Sequence, residues 1–242
     1  MNEMRLLPAG DRALAAEFGN TIDPEINNRV HALAGRILQE QVSGILELVP
    51  TFRSLLIHYD PDVIDYQALC EKIRLLEATA VRAGETDRRV LHIPCCYGSH
   101  FGPDLSDMEK ITGLCRDEII SLHSSVNYKV YMLGFLPGFV YLGGLDKRIE
   151  APRLSTPRVK IPKGSVGIGG SQTGVYPLDS PGGWRLIGST PLDFYDPDRE
   201  EPVLCRAGDY IRFEPVSSSE YYDIRQMIQH GTYQLRITNE RR

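Results

Sequence analysis

The stretch Ser165–Gly188, SVGIGGSQTGVYPLDSPGGWRLIG, decides how the second half of this chain folds. Its short apolar runs, Ser165–Ile168 and Trp184–Ile187, are cut by clusters of Gly and Pro, the pattern of strands joined by tight turns. The same rhythm reaches outward to Tyr128–Met132 and Tyr210–Phe213, so a mostly β sandwich or barrel is expected. Of the chain's 22 glycines, 12 lie between Gly134 and Gly188. Bulges and corners of a tight barrel account for any one of them.

Charge gives the cluster a second reading. Ala151–Gly188 carries Arg153, Arg158, Lys160, Lys163 and Arg185 against the single acid Asp179, in a chain of net charge −5. A local anion site is therefore an expectation. Familiar phosphate motifs fail: Lys163-Gly164-Ser165 reverses the order of a P-loop, and Gly167 and Gly169 are followed by Gln172 where a dinucleotide fingerprint needs Gly. What remains is a nest of backbone N–H groups at Gly164, with Lys163 supplying charge and Ser165, Gln172 and Thr173 supplying donors. The aromatic residues Phe135, Phe139, Tyr141, Tyr176 and Trp184 read plainly as barrel filling. Trp184 has an alternative, since Pro181-Gly182-Gly183 before it could hold the indole at a pocket mouth, with Tyr176 as a companion in binding.

All six histidines lie outside residues 124–229, so imidazole chemistry from within the motif segment is excluded. His92-x-x-Cys95-Cys96-x-x-x-His100 has the residue types of a zinc cluster, but adjacent cysteines on a strand point to opposite faces, which favours a packed core.

Upstream of Arg89 the chain alternates. Strands are expected near Met4–Leu7 and Arg12–Phe18, and then Asp23 and Pro24 offer an N-cap and first-turn proline to a helix carrying Ile26, Val30, Leu33 and Ile37. Gly44–Val49 and Arg53–Tyr59 read as strands, and Leu69, Ile73 and Leu76 as a second helix, giving the order ββαββα. Arg82–Arg89 has the composition of a linker. The expected domains are thus a small α/β layer over 1–88 and a β-rich domain over 89–242. In the latter, Ser106 with Glu109 forms a candidate capping box, Gly113 a helix stop, and Asp117–Ser124 a second short helix. Ser217 with Glu220 opens a late helix, and Tyr233–Ile237 reads as a closing strand.

Composition sets outer limits. With 242 residues, 42% hydrophobic and 24% charged, the chain is an ordinary globular protein that needs neither disulfides nor metals to complete a core. Its balance of 27 basic and 32 acidic residues gives no general attraction for nucleic acid or a membrane surface. The longest uncharged stretch, Val130–Leu145, is too short and too rich in Gly and Pro to span a bilayer. The N-terminus lacks a secretory apolar run, and five irregularly spaced cysteines suit reduced thiols, so a cytoplasmic location is expected.

GFLPGFVYLGG at 134–144 and the long run Ala151–Pro197 together resemble the KipI family, known also as allophanate hydrolase subunit 1 and as the B subunit of 5-oxoprolinase. The likeness extends over Ile93–Leu105, Arg206-Ala207-Gly208-Asp209 and, more loosely, Gly10-Asp11. Cys95, Ser99-His100 and Cys115 depart from the family's usual residues without touching the Gly-rich core. The resemblance implies an α+β chain, with a small N-terminal α/β domain followed by a C-terminal cyclophilin-like β-barrel. It also implies a subunit that works with subunits A and C of an ATP-dependent 5-oxoprolinase; with no P-loop, no histidine in its motif segment and no evident metal cage, the chain is expected to be inactive alone. That complex would use ATP, with Mg, as co-substrate to open 5-oxo-L-proline to L-glutamate, with no metal or prosthetic group resident in this chain. The family also includes an inhibitor of a sporulation sensor histidine kinase, the alternative reading. On the enzyme reading, Arg158 is placed to grip carboxylate or phosphate with its planar fork and Lys163 to act as a point charge, with Lys160 beside Arg158 on an extended Thr156–Pro162. Solvated surface pairing is the plain alternative for these cations.

Overall fold

The computed structural model describes residues 3–79 and 88–240, which fall in two compact units. In the first, β1 (Arg5–Pro8), β2 (Ala13–Glu17), α1 (Pro24–Glu40), β3 (Ile45–Pro50), β4 (Ser54–Tyr59) and α2 (Tyr66–Thr79) follow the expected ββαββα order. The strands form one antiparallel sheet, β1-β2-β4-β3. Asp23 caps α1 as its position suggests: its Oδ1 accepts from the N–H groups of Glu25 at 2.8 Å and Ile26 at 3.1 Å. The apolar stripes of both helices, Val30, Leu33 and Ile37 with Leu69, Ile73 and Leu76, share one core with the sheet.

The second unit contains β5 (Arg88–Tyr97), α3 (Leu105–Thr112), α4 (Arg116–Ser124), β6 (Tyr128–Leu133), β7 (Val140–Gly143), β8 (Arg158–Ile161) and β9 (Ser165–Gly169). It continues with β10 (Gln172–Val175), β11 (Ser180–Gly182), β12 (Arg185–Ser189), β13 (Tyr210–Pro215), α5 (Ser218–Gln229) and β14 (Ile237–Glu240). Seven strands close a barrel in the order β5-β12-β9-β10-β7-β6-β13. The ring closes because β5 is long: it runs parallel to β13, and its far end at Cys96 and Tyr97 pairs with β12. β14 adds beside the first half of β5, and β8 with β11 forms a separate two-stranded ribbon.

Alternation sorts the side chains. Val140 and Leu142 of β7, Val166 and Ile168 of β9, and Val175 of β10 fill the barrel with Leu91, Ile93 and Cys95 of β5. Cys96 instead packs outside, with Phe101 and Tyr221. One polar chain enters this interior. The Tyr97 hydroxyl lies 2.7 Å from His123 Nδ1, His123 Nε2 lies 2.8 Å from Thr173 Oγ1, and the Thr173 hydroxyl donates to the Gly167 carbonyl at 3.0 Å. Since Thr173 donates onward, the consistent arrangement is an Nε2–H imidazole that accepts from Tyr97. Burial accordingly lowers the His123 pKa to about 3.

Three expectations shift. α3 begins after Asp104 instead of at a Ser106 capping box, and Glu109 serves the next helix, its Oε1 accepting from Arg116 N–H at 3.0 Å. The closing strand starts at Ile237, because the N–H groups of Thr232 and Tyr233 are drawn to the Met227 carbonyl at the end of α5. Most of the expected linker lies outside the described residues, and Arg88 already belongs to β5. Among the described residues, no helix is long and apolar enough to cross a membrane.

Candidate functional site

The outward faces of β9 and β10 are nearly bare: Gly167, Gly169 and Gly174 leave a smooth patch of barrel wall, and the Trp184 indole lies on it. A Cβ on Gly169 would stand 2.5 Å from indole Cδ1 and Nε1, and one on Gly174 would stand 3.0 Å from Cζ3 and 2.7 Å from the Val140 carbonyl. The glycine run therefore seats a tryptophan. Phe139 and Tyr176 complete a small apolar cluster outside the barrel, joined by Ile161 from the ribbon.

These three rings meet edge to face. Phe139 lies 5.6 Å from Trp184 and 5.3 Å from Tyr176, and Tyr176 lies 6.3 Å from Trp184, with interplanar angles of 78°, 82° and 80°. Between them and Phe135, Tyr141 and Gly182 is a cavity of about 100 Å³, with Arg153 on its border. The Arg153 guanidinium sits 5.8 Å from the Trp184 ring centroid. Burial raises the Tyr176 hydroxyl pKa, an effect partly offset by the Trp184 backbone N–H and then by Arg153 and Arg158.

A larger cavity, about 440 Å³, opens beside α5. Lys163, Gly164 and Ser165 line one side of it, and Tyr221, Tyr222 and Arg225 the other. Gly164 turns the chain at φ 81°, a left-handed conformation that glycine adopts without strain. The amides of this turn already have acceptors: Lys163 N–H donates to Asp179 Oδ1 at 2.9 Å, Gly164 N–H to the Tyr176 carbonyl at 2.7 Å, and Ser165 N–H to the Pro162 carbonyl at 3.3 Å. What the turn presents is the Lys163 ammonium, 2.9 Å from Asp193 Oδ1.

The predicted site residues thus separate. Lys163, Gly164 and Ser165 meet at the larger cavity, and Tyr176 and Trp184 at the smaller. Thr173 is bonded within the barrel interior, and Gln172 Nε2 is buried without a partner. Lys160 pairs with Asp179 at 2.8 Å, which raises the lysine's pKa. Arg158 is tied to buried Asp104, Nη2 to Oδ1 at 2.6 Å, while its Nη1 is buried without a partner. Sequence reasoning missed the contributions of Arg153 and α5. The signal for Arg153 was its membership of the basic segment; nothing local marks Arg225, which α5 brings to the cavity from far along the chain.

Over residues 4–205 the chain matches the family described as carboxyltransferase domain, subdomain C and D. It belongs to that family, and within it to the branch formed by the B subunits of 5-oxoprolinase. It is 44% identical over 223 residues to the 5-oxoprolinase B subunit of Bacillus subtilis, covering 88% of this chain and 93% of that one. Identity to the subunit of the same name from Escherichia coli O157:H7 is 40% over 216 residues, covering 89% and 97%. The crystal structure of TTHA0988 superposes with a TM-score of 0.76 at 38% identity, over 86% of this chain; the match spans 40% of that longer chain.

Proposed function

We propose that this chain is the B subunit of an ATP-dependent 5-oxoprolinase that opens 5-oxo-L-proline to L-glutamate, acting with subunits A and C and inactive alone. The observation that carries the proposal is 44% identity spread over 93% of a protein of that name.

The chemistry explains why such an enzyme needs ATP. Attack on a lactam must overcome amide resonance, so a phosphoryl group transferred from ATP to the lactam oxygen turns that oxygen into a leaving group. Water then adds at the carbonyl carbon, the ring C–N bond of the tetrahedral adduct breaks with the nitrogen leaving as the protonated amine, and a second water hydrolyses the resulting acyl phosphate to release phosphate and the carboxylate of glutamate. Transferred charge needs cations nearby. In this proposal Lys163 supplies one at the larger cavity, beside the phosphates of ATP, while Arg158, held by Asp104 with its Nη1 buried, acts by fixing the ribbon strand β8. Lys160, Gly164, Ser165, Gln172 and Thr173 hold the strands and turn that carry them. Among the described residues no group of three or more His, Cys, Asp or Glu could hold a metal ion, and the proposal places the Mg of ATP on no residue of this chain.

Assembly is the first test. Co-expressed with subunits A and C, the chain should elute with them from size-exclusion chromatography at a constant ratio. Elution of the chain by itself, with A and C together in a separate active peak, would contradict the proposal.

A further inference from the structure

We propose that the cavity walled by Phe139, Tyr176 and Trp184 binds a small uncharged ring bearing one carboxylate, with Arg153 taking the carboxylate. This rests on the 5-oxoprolinase reading, in which that ligand is the lactam substrate.

Size comes first. At about 100 Å³ the cavity is smaller than the roughly 150 Å³ that accommodates benzene, so it takes at most one small ring, with the carboxylate left outside it toward Arg153. A nucleotide or a peptide strand does not fit. The walls are fixed in place: Trp184 is only 4% exposed, and its indole rests on Gly169 and Gly174, where any side chain would collide with it. Phe135, held at φ 68° in a conformation costly for a bulky residue, stands edge-on to Phe139 at 5.5 Å and extends the wall.

Charge settles the class of ligand. Of the five cations in Ala151–Gly188, four have carboxylate partners: Arg158 with Asp104, Lys160 with Asp179, Lys163 with Asp193, and Arg185 with Asp107. Arg153 has no ion-pair partner among the described residues and lies against the ring of Trp184 at the cavity border. An aromatic cage without such a residue would suit a quaternary ammonium; the arginine repels one and attracts an anion. Its planar fork matches a carboxylate in two hydrogen bonds, while the rings cover the apolar remainder of the ligand.

Trp184 is the only tryptophan of the chain, so its fluorescence reports on this cavity alone. The full-length chain would be titrated with 5-oxo-L-proline, cyclopentanecarboxylate and tetramethylammonium, and the complex with subunits A and C assayed for its KM for 5-oxoproline. Expected are saturable changes with both carboxylates and none with tetramethylammonium. Arg153→Gln should weaken each carboxylate, and raise KM, on the order of 10- to 100-fold, the scale of one charge-assisted contact. Arg153→Lys should recover part of the loss, and neither variant should shift the thermal midpoint. Cyclopentanecarboxylate binding that depends on Arg153, with no response to 5-oxoproline and no turnover by the complex, would keep the cavity and remove the 5-oxoprolinase reading. An active complex whose KM is unchanged by Arg153→Gln, together with no saturable fluorescence change, would overturn the cavity proposal and leave that reading standing.

Discussion

Asp104 holds Arg158 on one carboxylate oxygen, at 2.6 Å, and with the other accepts the backbone N–H of Leu186 in β12, also at 2.6 Å. One buried acid thus joins the ribbon strand β8 to the barrel wall. The same engagement explains why Asp104, although it precedes α3, makes no side-chain cap to that helix.

Asp104→Asn should therefore destabilise the protein by about 2–3 kcal/mol, between the ~1 kcal/mol ceiling of an exposed pair and the ~3–5 kcal/mol of a fully buried one. Arg158 is 30% exposed, which places the pair between those limits. Urea unfolding at pH 7 checks this; a loss below about 0.5 kcal/mol would show that the pair is solvated in practice. Arg158→Ala should likewise cost stability, so its effect on turnover must be measured in folded, assembled material.

Gly169→Ala should push the Trp184 indole off the barrel wall, at about 1–3 kcal/mol of stability, the usual cost of overpacking. Tryptophan emission should move to the red as the ring gains water. Gly183→Ala, whose Cβ would meet nothing nearer than 3.7 Å, is the control and should leave the spectrum in place. Identical spectra for both variants would mean that the indole is not held as described.

His123 is neutral in the folded protein, its pKa lowered by burial to about 3 from an ordinary 6.5. Below pH 6.5 the unfolded chain takes up a proton that the folded one refuses. Its contribution is fully present above pH 6.5, and stability falls as pH drops from there toward 3, by at most about 1.4 kcal/mol per pH unit. His123→Gln removes that slope. Unfolding free energies from pH 7.5 to 4.5 should accordingly decline less steeply in the variant, and parallel curves would contradict the assignment.

Lys163→Ala should leave stability within about 1 kcal/mol, because its pair with Asp193 is solvent-exposed, yet lower turnover of the assembled complex by roughly 10²–10³. A steady-state assay on complexes matched by size-exclusion chromatography decides it. Full activity would return Lys163 to an ordinary surface pair.

Much of the fold is legible in the amino-acid sequence. Asp23 and Pro24 announce α1, Ser217 and Glu220 announce α5, and the apolar runs from Tyr128 to Phe213 announce β-strands, because caps and alternation are local signals. Less legible are relations that depend on pairing distant strands. The glycines of β9 and β10 suggest an anion nest in sequence, but Trp184 reaches them only because β12 pairs with β9 and the preceding turn carries the indole over both strands. The positive charge of Ala151–Gly188 is similarly local in sequence, while three of the acids that neutralise it, Asp104, Asp107 and Asp193, come from outside that segment.

Membership of a working 5-oxoprolinase is decided by the release of ADP and glutamate from ATP and 5-oxo-L-proline by subunits A and C with and without this chain. Equal amounts of the two products are expected, dependent on 5-oxoproline, when all three proteins are present, and none from this chain alone. Undiminished release when the chain is omitted would contradict that membership.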